Sequence, residues 1–499
     1  MMRYGSGAAS AALRQRTFHL RFLTFLSIHD ERSFQTVVSL GVFMMTLGAG
    51  ATAGFSAVLI PQLQDAGNAE EYSTETISWV AGIASFPLFF GNLISGYLME
   101  RLGRRMSLLM LSVPFVLGWI IIGLANEIYV ILLGRFITGF CQGWLGPLGP
   151  VFVGEISSPD YRGFFLASLS LAIALGVFLS HLFGTILHWK FAAFLCGAFP
   201  LAAGMIMLFA PESPSWLASR GRFEECLTWF YWYRSRSDET KNEVDKMIAE
   251  QTKRAQNIGK MTILKENMKK PEFYKPLGIM ITFFIITQLS GVNVICAYTP
   301  LMLKVFQSNK STDYSFIAML AIDILRCISM AAACVLLRKL GRRPMAIFSG
   351  TLTASSLLLL ALYLLLLKLR IISIMSPLIA YGLMSIYIIV SNMGIVPLPW
   401  NMVGELFATA TKGIGSGISV MMTSIAFFGT VKSAPALFEA IGYEGAYLFY
   451  GLSTLFGTVF LYFYLPETKN KTLLQIEEYF RGNNIPKNKE KHMKDFSNV

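Results

Sequence analysis

Long apolar blocks recur along this chain, separated by short polar stretches in which Arg, Lys and Glu collect. Each block carries about 20 or more residues with few charges, the length that crosses a bilayer as one helix. Twelve spans are predicted. The first six lie at 36–60, 76–98, 106–125, 127–150, 164–187 and 190–210. The second six lie at 277–306, 314–337, 344–367, 372–403, 413–437 and 444–465. The pattern divides the chain into an N-terminal segment (1–35), a six-helix bundle (36–210), a polar linker (211–276), a second bundle (277–465) and a polar tail (466–499). The expected fold class is therefore an all-α membrane protein.

Composition agrees with that pattern. Of 499 residues, 54% are hydrophobic and 14% charged, against about 25% charged in soluble domains. The formal net charge of +12 raises nucleic acid as a partner. The basic residues flank the apolar blocks, however, so they read as membrane topology, and the expected partner is the lipid bilayer. Basic clusters at Arg101, Arg104 and Arg105, at Arg162, and at Arg338–Arg343 share one side with both termini, which is expected to be cytoplasmic. No cleavable leader is expected, because Phe22–Ile28 is too short an apolar patch. The linker carries 13 Lys/Arg and 10 Asp/Glu, and its stretches Arg222–Tyr233 and Asn242–Ala255 read as short amphipathic helices. Six cysteines match neither a disulfide framework nor a metal site and read as small apolar fillers; no metal or cofactor is expected. Asn309-Lys310-Ser311 is a sequon on the non-cytoplasmic side and a candidate glycosylation site.

Punctuation repeats between the two bundles. Gly103-Arg104-Arg105 follows the second span and Gly341-Arg342-Arg343 follows the eighth. Gly154-Glu155-Ile156 with Arg162 follows the fourth, and Gly404-Glu405-Leu406 with Lys412 follows the tenth. Two related halves around a midplane site are a common transporter design.

Polar groups inside the spans locate candidate chemistry. The stretch Thr287-Gln288-Leu289-Ser290-Gly291-Val292-Asn293 sits in the seventh span. On a continuous helix Gln288 and Asn293 stand about 140° apart, flanking one face. Buried amides are costly unless they face protein or a water-filled path, so this face is expected to line a polar path. Asp323 and Arg326, three apart in the eighth span, carry three readings: a self-contained ion pair, an arginine that binds substrate while the aspartate holds it, or a proton-carrying aspartate.

Taken in order, the motifs resemble the sugar porter family of the major facilitator superfamily. They are Gly96-x-Leu98-x-Glu100-Arg101-x-Gly103-Arg104-Arg105, Gly134-Arg135-x-x-x-Gly139, Pro211-Glu212-Ser213-Pro214, Gln288-Leu289-Ser290-Gly291-Val292-Asn293, Pro397-x-Pro399-Trp400 and Pro466-Glu467-Thr468-Lys469. Within that family the chain is most similar to insect facilitated trehalose transporter-like proteins. The resemblance implies a fold of twelve helices in two pseudo-symmetric halves and a non-enzymatic function. That function is uniport of a sugar, trehalose or a hexose, across the plasma membrane. It implies substrate contacts from Gln288, Asn293, Trp400, Thr287, Tyr298 and Arg326. It also implies a cytoplasmic gate of Glu100, Arg104, Arg105, Glu155, Arg162, Arg342, Arg343, Glu405 and Lys412, in which Arg338 stands where the family usually has an acid. Ser56 stands where proton-coupled members carry an aspartate, which favours uniport over the alternative of proton symport. A non-transporting sugar sensor on the same scaffold is the other alternative. Nothing in the sequence fixes an oligomeric state.

Overall fold

The computed structural model describes residues 31–66, 73–234, 238–256, 268–304, 306, 315–371, 376–403, 405–407, 412–469, 471 and 473–481. The sequon Asn309 lies outside them. All regular structure among the described residues is helical.

The first half contains α1 (Glu31–Gly54), α2 (Ser56–Ala66), α3 (Thr74–Gly82), α4 (Leu88–Leu102), α5 (Arg104–Leu124), α6 (Ile128–Ile156), α7 (Pro159–Ile186) and α8 (Trp189–Phe209). After it come α9 (Pro214–Ser219), α10 (Phe223–Tyr233) and α11 (Asp238–Gln256). The second half holds α12 (Pro271–Leu289), α13 (Val292–Lys304), α14 (Ser315–Lys339), α15 (Arg342–Lys368), α16 (Pro377–Met393), α17 (Leu398–Met402) and α18 (Lys412–Tyr464), with α19 (Leu473–Arg481) after it.

Ten stretches among the described residues are long and apolar enough to span a bilayer. The last, Ile414–Tyr464, turns at Gly442, whose φ of 72° breaks the helix, and so accounts for two spans. The predicted second span is divided into α3 and α4, each too short to qualify alone. Pro87, immediately before α4, has no N–H to continue the ladder. Twelve crossings result among the described residues.

Some expected spans prove discontinuous. The seventh breaks into α12 and α13, and the tenth into α16 and α17 around Gly394–Pro397. Close helix contact depends on small residues at particular points. A side chain at Gly139 or Gly143 of α6 would strike the backbone at Ala84 or Leu88, which lets α4 lie against α6. At Gly417 of α18, by contrast, a side chain would meet open space.

The halves meet along α7 with α14, along α18 with α3 and α4, and where α13 packs on α1 and α2. At the end bearing α3, Thr74 bonds Glu439, and Lys432 Nζ donates to Ser78 Oγ at 2.6 Å while lying 4.6 Å over the Trp79 ring. The two halves are closed against each other there.

The linker is a packed cap with a small core of its own, built from Trp216, Leu217, Phe230, Val244 and the buried Cys226. It docks on the first half: Trp216 Nε1 donates to the Glu100 carbonyl at 2.7 Å, and Arg234 Nη2 donates to the Ser157 carbonyl at 2.9 Å.

Candidate substrate site and gates

The break in the seventh span is centred on Gly291, whose φ of 82° is favourable only without a side chain. α12 ends at Leu289 and α13 begins at Val292. The expected face of one continuous helix is thereby replaced by a corner. Asn293 Nδ2 donates to Gln288 Oε1 at 2.5 Å across it. Each amide keeps further donor or acceptor capacity beyond this bond. Tyr387 Oη of α16 donates to the Ser290 carbonyl at 2.9 Å, which braces the interruption from the tenth span.

The other expected contacts are distributed around this corner. Thr287 Oγ1 lies 3.0 Å from the Phe283 carbonyl and 3.1 Å from the Ile395 carbonyl, so its hydroxyl ties α12 to the break in the tenth span. Tyr298 is buried, with its hydroxyl donating to the Val431 carbonyl at 3.2 Å. Trp400 is 48% exposed, its ring set edge-on to Phe284 at 5.2 Å. Arg326 Nη1 lies 3.5 Å from Cys296 Sγ, one turn beyond Asn293 on α13. Its Nε and Nη2 are buried and make no hydrogen bond among the described residues.

Asp323 and Arg326 do pair, at 3.2 Å. The pair is not self-contained. The other Asp323 oxygen lies 2.5 Å from Nδ1 of His181 on α7, in the opposite half, and His181 Nε2 lies 3.0 Å from the Gly54 carbonyl. Sequence reasoning missed His181; the one signal was an ionisable ring in an otherwise apolar stretch of the fifth span.

Arg135 is likewise buried, between α1, α2 and α3. It donates to the Thr52 carbonyl (3.1 Å), the Val80 carbonyl (3.2 Å) and Ser56 Oγ (2.5 Å). These three partners are neutral oxygens.

At the opposite end of the bundle from α3, the two halves repeat one construction. Arg104 Nη2 pairs with Glu155 at 2.8 Å, and Arg342 Nη2 with Glu405 at 2.9 Å. Glu212 Oε1 accepts from the backbone amides of Arg104 (2.8 Å) and Arg105 (3.0 Å). Glu467 accepts from those of Arg342 (3.0 Å) and Arg343 (3.1 Å). Ser213 donates to Glu155 and Thr468 to Glu405. Arg105 reaches the Leu208 carbonyl at 2.8 Å, and Arg343 the Tyr462 carbonyl at 2.7 Å, each at a helix C-terminus where cations are favoured.

Both ion pairs lie within a half; neither bridges the two. Among the described residues, Arg162 Nη2 reaches the Ser157 carbonyl, at 3.4 Å, and no carboxylate of the gate. Glu100 enters through its backbone carbonyl, which accepts from Trp216 and Arg220. Lys412 opens α18, and its side chain lies outside the described residues.

The two capping carboxylates differ in environment. Burial pushes the Glu212 carboxyl above its ordinary value despite its backbone hydrogen bonds. Burial acts the same way on Glu467, but there bonds from the amides of Lys469, Arg342, Arg343 and Thr468 prevail and hold it below the ordinary value.

These crossings, paired halves and interrupted helices define a multi-pass membrane protein with the all-α major facilitator fold. The sequence matches the family model described as Sugar (and other) transporter over residues 34–480, so the chain belongs to that family, whose members are transporters and not enzymes. It is similar to the facilitated trehalose transporter Tret1 of Drosophila mojavensis, 28% identical over 450 residues that cover 90% of this chain and 51% of that one. It is also similar to Tret1 of Bombyx mori, 27% identical over 452 residues that cover 89% of this chain and 86% of that one. The chain spans about half the length of the Drosophila mojavensis relative. Among solved structures, it resembles the proton:xylose symporter XylE bound to 6-bromo-6-deoxy-D-glucose, with a TM-score of 0.73 and 20% identity, covering 90% of this chain and all of that one. A partially occluded inward-open XylE from E. coli gives a TM-score of 0.72 at 19% identity, covering 88% of this chain and all of that one. At such identities the likeness speaks to fold.

Proposed function

We propose that this chain is a facilitative transporter of a sugar across the plasma membrane, working by alternating access. The observation that carries the reading is the amide pair Gln288–Asn293 at the corner between α12 and α13. Interrupted helices with polar groups at the break are where transporters of this architecture hold substrate. The hydroxyl-rich substrate is bound by Gln288, Asn293 and the free donors of Arg326, with the exposed ring of Trp400 as an apolar platform. Thr287 and Tyr298 contribute by fixing the site's walls. Trehalose is the first candidate, from the names of the relatives, and hexoses are the second.

Uniport is supported at Arg135. Its partner Ser56 cannot shuttle a proton at physiological pH. The moving units are the halves at 36–210 and 277–465, with both termini cytoplasmic by the placement of basic residues. Residues Arg104, Glu155, Arg342 and Glu405 shape the cytoplasmic gate.

Counterflow of labelled trehalose and labelled glucose into proteoliposomes tests this. Saturable exchange of one of them is expected, with no accumulation above equilibrium under an inward proton gradient. Binding without exchange identifies a sensor, and proton-driven accumulation identifies a symporter; either outcome overturns the reading.

A further inference from the structure

His181 has two ring nitrogens and two acceptors facing them. The Gly54 carbonyl, 3.0 Å from Nε2, can only accept. Asp323 Oδ2 lies 2.5 Å from Nδ1. A neutral imidazole carries one hydrogen. Facing an ionised Asp323 it can satisfy only one of these contacts, and the other becomes lone pair against lone pair. Both are satisfied only when the pair holds one more proton, on the imidazole or on the carboxyl. His181 and Asp323 are both buried, at 0% and 1% exposure of their side chains, so water does not relieve the mismatch.

The contact also has a place in the mechanism. His181 belongs to the first half and Asp323 to the second, and α7 against α14 is one of the seams where the halves meet. His181 stands five positions before Ile186, the end of α7. That is about 8 Å along the helix axis, in an apolar core about 30 Å thick, on the side where Thr74 and Glu439 close the bundle. We propose that His181 and Asp323 form a proton-binding latch between the halves: the bound proton holds this side shut, and its loss to the medium on that side favours opening. The proposal rests on the alternating-access reading above. The proton returns to the side from which it came, so it gates sugar movement without being carried across.

Other charged or titratable groups around the latch are few. Arg326, on the same helix as Asp323, holds the other carboxylate oxygen. Cys296 of α13 touches Arg326, and Cys327 of α14 and Tyr387 of α16 lie within its electrostatic reach. From α1 and α2 the neighbouring groups are the Gly54 carbonyl and Ser56, with Arg135 behind them. Neither Arg326 nor Arg135 releases its proton between about pH 5 and 8.

The test measures the distance between spin labels on the purified, reconstituted protein in the absence of sugar. Labels go on Tyr129→Cys and Ile441→Cys, exposed positions at the closed end of the two halves, with the unsubstituted chain as labelling control. Between about pH 5 and 8, the short-distance population should fall as pH rises. The open-to-closed ratio should change by no more than about tenfold per pH unit, the limit for one proton. His181→Gln and Asp323→Asn each remove the titrating partner and should abolish the dependence. An unchanged distance distribution in the parent protein overturns the proposal, as does a pH response that persists in both variants. Should both variants misfold, difference infrared spectra of the parent decide. A carboxyl or imidazole band titrating at the same midpoint supports the latch, and its absence refutes it. Since no sugar is used, absent counterflow with an intact pH response defeats the transport reading and leaves the latch, and the converse defeats only the latch.

Discussion

Glu212 Oε1 lies 2.8 Å from the backbone nitrogen of Arg104, and Glu467 stands in the same relation to Arg342 at 3.0 Å. A carboxylate thus caps the N-terminus of α5 and another that of α15, where free amides and the helix dipole favour an anion. The caps differ in what burial does to them. The Glu467 carboxyl is held below its ordinary value by its amide bonds, against the opposing effect of burial, so it contributes stability above the unfolded value of about 4.3. That contribution is lost as pH falls through the depressed folded value. Glu212 is raised by burial, so its contribution is complete below the unfolded value and is lost as pH rises through the folded one. At neutral pH, Glu467→Gln should destabilise the detergent-solubilised protein by about 0.5–1 kcal/mol. Glu212→Gln, which keeps an accepting oxygen and removes a costly buried charge, should be neutral or stabilising. Thermal melts of the two variants check the difference in sign.

The pairs Arg104–Glu155 and Arg342–Glu405 lie in separate halves. Double-mutant cycles with Arg104→Ala and Glu155→Gln should show coupling of about 0.5–3 kcal/mol. The combination Arg104→Ala with Arg342→Ala should be additive within about 0.5 kcal/mol. Strong coupling between the two arginines would place them in one network, contrary to this geometry.

Asn293→Ala removes the donor to Gln288 and one of the two amides proposed to hold the sugar. Gln288→Ala removes the other. Each should lower counterflow by about tenfold or more, the value of one lost hydrogen bond to a buried partner, with unchanged protein yield. Trp400→Ala should weaken apparent sugar affinity with little effect on the melting temperature, because the ring is half exposed. Equal loss of stability and transport would make these residues packing groups.

Ser56→Ala leaves a buried Arg135 N–H without its 2.5 Å partner. An unsatisfied buried donor costs about 1–3 kcal/mol. A clear fall in melting temperature is expected, and Ser56→Thr, which restores a hydroxyl, should recover most of it.

Much of this molecule is legible in the chain itself. Apolar runs long enough to cross a bilayer fix the spans, because lipid tolerates neither charge nor unpaired backbone. The basic clusters fix which loops share a side, and the repeated Gly-Arg-Arg and Gly-Glu elements announce two related halves before any coordinate is seen. These are local properties of composition and spacing. The decisive pairings are not local. Only the fold turns the chain at Gly291 and brings Gln288 onto Asn293, where a continuous helix would hold them apart. Only the packing of α7 on α14 sets His181 against Asp323, 142 positions away, and so makes a two-residue ion pair into a charged seam between halves. Hydropathy carries no information about which buried polar group will meet which. That is settled by the angles at which helices cross and by where glycine and proline interrupt them.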